Sequence, residues 1–94
     1  MKINNSLEKI NYAIKEIDIA ISVYDSSFNS FTTLEQLNLF KTKLLRVLDD
    51  INLGKLPQKT ERNLGISRII VDQWPFDNIL GGLIIEAEQV YKNI

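Results

Sequence analysis

The chain predicts an all-α protein, an antiparallel four-helix bundle with helices near 6–25, 33–53, 59–73 and 77–93 in a single domain of 94 residues. Three observations carry that expectation. Apolar residues recur at steps of three and four along most of the chain, which is helical spacing, and no stretch keeps the strict alternation of a strand. A Ser- and Asn-rich stretch at 25–30, Gly54 with Pro57, and Pro75 cut that pattern into four pieces. Four helices joined by short loops pack by default as an antiparallel bundle.

The first helix is the clearest. Ile3, Leu7, Ile10, Ile14, Ile17, Ile21 and Tyr24 form one stripe. Asn5 with Glu8 has capping-box spacing and places the regular start near Ser6. Glu8, Asn11, Lys15, Asp18, Ser22 and Asp25 form the polar face, yet Tyr12, Ile19 and Val23 gather on a separate ridge beside Glu16. Either a second neighbour covers that ridge or it is open to a partner.

Phe28 and Phe31 are expected to plug the end of the bundle, and Thr32 with Glu35 or Thr33 with Gln36 to open the second helix. Leu37, Phe40, Leu44, Val47, Leu48 and Ile51 define its inner side, Leu39 falls outside, and Gly54 ends it as a left-handed cap. The third helix is expected to run unbroken to Gln73, with Leu64, Ser67, Ile70, Val71 and Trp74 inward and Ile66 and Ile69 outward. At 72–77 one helix is stopped and another started. Pro75 has no amide hydrogen and restricts Trp74 before it, while Asp77 offers a carboxylate cap to the fourth helix. Trp74 and Phe76 are read as wedges in this corner, the alternative being exposed anchors for a partner. Leu80, Leu83, Ile84, Ala87, Val90, Tyr91 and Ile94 line the inner arc of the fourth helix, with Ile85 outside. Gly81 and Gly82 suggest a close backbone approach.

Composition narrows function. The chain contains neither cysteine nor histidine, which removes thiolate and imidazole chemistry, the commonest general base and the commonest metal ligand; no cofactor and no metal are expected. A net charge of −1 with interspersed signs does not suit nucleic acid. The longest aliphatic runs, 69–71 and 83–85, are far too short for a membrane span, and no apolar stretch follows Lys2 as in a secretory signal, so a cytoplasmic location is expected. Asp49 and Asp50 point about 100° apart on a helix, as neighbours must, so they form no catalytic pair. Glu86 and Glu88 likewise form no shared site, and Glu8 with Lys15 and Glu88 with Lys92 are read as helical ion pairs. A non-enzymatic binding protein remains, with no small-molecule substrate.

Arg68 to Asp77, followed by Leu80, Gly81, Leu83, Ile84, Ala87, Glu88 and Tyr91, resembles the tail of small all-helical bacterial immunity proteins, the antitoxins encoded beside polymorphic toxins such as those of contact-dependent growth inhibition. The likeness covers about the last third of the chain and is structural rather than chemical. It implies a cytoplasmic protein that binds one cognate toxin domain, often a nuclease, and blocks its active site. The residues expected to meet the partner come from the helical wheel and the charge pattern: Tyr12, Glu16, Ile19, Val23, Asp49, Asp50 and Phe76. The competing reading is an adaptor module that self-associates through the first-helix ridge.

Overall fold

The computed structural model describes residues 2–94, with side chains from Asn5 onward. The protein is all-α. Helix α1 spans Lys2–Val23, α2 Ser26–Asn29, α3 Leu34–Asn52, α4 Ile66–Gln73 and α5 Ile79–Asn93, with one 3₁₀ turn at Lys59–Glu61 and no strand among the described residues. Helix α1 packs against α3 and α5, and α4 packs against α5.

The core follows the helical stripes. Ile10, Ile14 and Ile17 of α1 meet Leu37, Phe40, Leu44 and Val47 of α3 and Leu80, Ile84, Ala87 and Tyr91 of α5. Ala13 and Ala20 are also buried and complete the inner face of α1. The side chain of Ile3, placed on the same stripe by its spacing, lies outside the described residues. Helix α1 begins before Asn5, so Asn5 is an interior residue rather than a cap.

Two of the expected caps are present, those of Thr33 and Gly54. Thr33 Oγ1 accepts from the Gln36 amide at 3.0 Å and starts α3. Gly54 adopts φ +67°, and the bonds from Gly54 N to Ile51 O and from Lys55 N to Asp50 O close a Schellman turn. The Ser-rich stretch is not a plain loop. Asp25 caps the single turn of α2, and hydrogen bonds from the Ser27 side chain and then its amide hold the Asp25 carboxyl below its ordinary range.

Two further expectations fail. The unbroken third helix is interrupted: after the 3₁₀ turn the chain is irregular until Gly65, whose φ of +74° sets a new start at Ile66. The face that α4 turns to the core is that of Ile66, Ile70 and Trp74: Ile66 is fully buried, Ile69 packs against the core and Val71 is 70% exposed, the reverse of the expected facing of Ile66 and Val71. The cap of α5 is Asn78, not Asp77; its side chain accepts from the Gly81 amide at 2.8 Å.

The corner between α4 and α5 has the most specific packing. Trp74, 4% exposed, ends α4; its ring lies 4.9 Å from Phe31, edge to face, and 6.0 Å from Phe40. Its Nε1 donates to Gln36 Oε1 at 3.0 Å, Thr32 Oγ1 donates to the same oxygen at 2.6 Å, and the Tyr24 hydroxyl donates to the Thr32 carbonyl. This chain of bonds ties the end of α1 and the start of α3 to the corner. A Cβ added to Gly81 would stand 3.0 Å from Ile70 Cγ2 and 3.2 Å from Trp74 Cε3, whereas one on Gly82 would meet nothing. The close approach therefore belongs to Gly81 alone.

Three outcomes follow for thermal unfolding. Gly82→Ala should raise stability by up to about 1 kcal/mol through helix propensity. Gly81→Ala should lower it by about 1–3 kcal/mol, because both contacted groups are locked in the core. Trp74→Ala should cost about 3–5 kcal/mol, a large share of the total for a chain of this size.

Candidate functional site

Tyr12, Glu16, Ile19 and Val23 fall at steps of four, three and four along α1, so they share one ridge. No neighbouring helix covers it: Tyr12, Ile19 and Val23 are all about half exposed. The lower part of this ridge forms one wall of an open groove of about 520 Å³. Ser27, Phe28 and Phe31 close one end, and Pro75, Asp77, Asn78, Ile79, Leu80 and Leu83 form the opposite wall. The groove exists because α1 stops at Val23 and because the corner brings the start of α5 up to it.

The structure thus brings Glu16, Ile19 and Val23 together with the 72–77 joint, and separates the remaining candidates from them. Tyr12 continues the ridge but does not line the groove. Phe76 is 101% exposed, which corrects its reading as a wedge: only Trp74 turns inward. Phe76 borders a smaller apolar hollow of about 120 Å³ with Val71, Gly82 and Ile85, and Pro75 and Asn78 line both depressions. Asp49 is exposed at the far end of α3, and Asp50 lines a polar pocket of about 320 Å³ with Lys43, Arg46, Asn63 and Tyr91. Along α5, that pocket lies about 12 Å from the groove, taking the rise from Leu83 to Tyr91. Asp49 and Asp50 accordingly do not join the ridge.

The sequence reading missed Ile79, 82% exposed on the groove wall. A signal was available: an apolar residue directly after the helix cap stands at the first helical position, before the inner stripe is established, and belongs to neither face of the core.

The buried charges are structural. Glu88 is the only buried carboxylate among the described residues. Gly65, at the N-cap of α4, has no side chain to offer that helix an acceptor. Glu88 supplies it from α5, receiving the Leu64 amide at 2.7 Å and both the amide and hydroxyl of Ser67, at 2.9 and 2.7 Å. Burial alone would raise its pKa; the Ser67 and Leu64 bonds, with Lys92 nearby, outweigh that and hold it below the ordinary 4.5. Helices α4 and α5 thus share a cap where an exposed Glu88–Lys92 pair was expected. Arg62 does the converse at the carboxyl end of α5, its Nη1 donating to the carbonyls of Tyr91 at 3.2 Å and Ile94 at 2.9 Å while Nε donates to Pro57 O at 2.8 Å. Burial, with Asp50 adding to it, pushes the Tyr91 phenol up.

With Glu88 spent on three donors, no buried carboxylate is left for proton transfer. Among the described residues no group of three or more acidic, His or Cys side chains could hold a metal, and no helix is long and apolar enough to cross a membrane. The ion pairs join helices rather than the Glu8–Lys15 positions: Lys41 meets Asp18, and Lys9 meets Glu86 at 3.7 Å. No protein-family model and no curated protein matches the chain.

The lowered Glu88 pKa sets the sign of a pH effect. Its contribution is complete above about pH 4.5, the value in the unfolded chain, and is lost as pH falls through the lower folded value. Glu88→Gln should therefore flatten the acid side of the stability curve and, at neutral pH, cost about 1–3 kcal/mol, because an amide cannot accept at both oxygens. Denaturant titrations from pH 3 to 7 (about neutral at the upper end) measure both effects.

Proposed function

We propose that this chain is an immunity protein: a cytoplasmic, non-enzymatic antitoxin that binds one toxin domain, often a nuclease in such systems, and blocks its active site. The observation that carries the reading is the open apolar groove at the corner, where Ile19, Val23 and Ile79 stand exposed on opposite walls. Isolated surface aliphatics are ordinary, but a concave group of them bordered by a fully exposed Phe76 is the form of a protein-docking surface. The resemblance of residues 68–91 to immunity proteins supports the same reading, and four of the residues that carry it, Pro75, Asp77, Leu80 and Leu83, line the groove. The exposed length of the α1 ridge up to Tyr12 favours a second reading, self-association of the chain through that ridge.

Co-expression with the product of the adjacent upstream gene tests the proposal. The pair should purify as a one-to-one complex, and the neighbour expressed alone should be toxic. Ile79→Asp should weaken the complex at least about tenfold by placing a charge among buried apolar groups. An acidic residue at the first position of α5 suits the helix dipole, so this variant remains folded. A harmless neighbour that forms no complex contradicts the proposal, and a wild-type dimer that Ile19→Asp dissociates supports self-association instead.

A further inference from the structure

The charge on the groove is one-sided. Its walls carry two carboxylates, Glu16 from α1 and Asp77 from the corner, and no cation. Among the described residues neither acid makes an ion pair or a side-chain hydrogen bond, whereas Asp18 and Glu86 are paired by lysines of neighbouring helices. We propose that the occupant of the groove is a segment of the partner protein with an apolar stripe flanked by lysine or arginine, its apolar side chains against Ile19, Val23 and Ile79 and its cations on Glu16 and Asp77. This rests on the reading of the chain as a protein-binding module and adds the chemistry of what it binds.

The physical reason is desolvation. A neutral apolar segment would gain by covering the aliphatic walls, but it would also strip water from two carboxylates without replacing those hydrogen bonds, and an acidic segment would add repulsion. Flanking cations answer the carboxylates and fix the direction of the segment, since the two acids stand on opposite walls. Such pairs contribute more to selectivity and encounter rate than to raw affinity.

Two synthetic amphipathic peptides test this, sharing one leucine stripe at helical spacing, one with lysine and one with glutamate at the polar positions. Fluorescence anisotropy against the full chain should show binding of the lysine peptide and at least about tenfold weaker binding of the glutamate peptide. The Glu16→Gln, Asp77→Asn double variant, isosteric and checked for helicity by circular dichroism, should weaken the lysine peptide by about five- to tenfold. Ile79→Ala should weaken both peptides. Equal binding of the two peptides, no binding of the lysine peptide, or a double variant indistinguishable from wild type overturns the inference. The outcomes separate from those above: a toxin complex indifferent to the double variant removes only the charge assignment, and peptide binding without any toxin complex removes only the proposed function.

Discussion

The packing of one indole into the α4–α5 corner constrains most of the rest. Trp74 is the C-cap of α4, so its backbone has already turned to an extended conformation when Pro75 makes further helix impossible. With the ring held between Phe31 and Phe40, the start of α5 must pass against it, and Gly81 is where the two meet. The indole N–H could not be buried without an acceptor. Gln36 provides one and brings Thr32, and through it Tyr24, into the same network. Because Trp74 is committed inward, Phe76 past the proline and Ile79 after the cap are left facing solvent. The same packing that closes the core thus leaves an apolar surface outside it.

The opposite end of α5 is fixed by charge. Glu88 and Arg62 are both removed from water, and each is placed where helix termini leave backbone groups unpaired, an acid at the amino end of α4 and a base at the carboxyl end of α5. Together they anchor the irregular connection between α3 and α4, which contains little regular structure of its own. Pinning both ends of α5 makes it the stable member against which the shorter α4 is set. These charges consequently serve the fold, and what remains for function is the surface.

The helical class, the stripes of α1, α3 and α5 and the Gly54 stop were legible because each depends on local spacing and on residues with strong backbone preferences. The break at Gly65 was less so. A glycine inside a helical pattern can be tolerated or can restart the helix, and here the deciding partner, Glu88, is distant in sequence. Within α4 the core takes the Ile66, Ile70 and Trp74 face and leaves Val71 outside. The choice of Asn78 over Asp77 is equally beyond spacing, since both are good caps one residue apart. The apolar ridge of α1 could be read from a wheel, but its pairing with Ile79 across a groove is tertiary. Asp49 and Asp50 were expected to meet the same partner as the ridge, and the fold sets Asp50 beside Tyr91, at the other end of α5.

Since the core consumes Trp74 and the buried charges, the proposed binding surface is the groove beside the corner, where Ile19, Val23 and Ile79 are exposed. Hydrogen–deuterium exchange on the full chain, free and in complex with the product of the adjacent upstream gene, tests that placement most directly. Protection on binding should concentrate in the second half of α1 around Ile19 and Val23 and in the 75–83 segment, with the Arg62 end unchanged. Protection confined to the Arg62 and Asp50 end, with the corner exchanging as in the free protein, would contradict it.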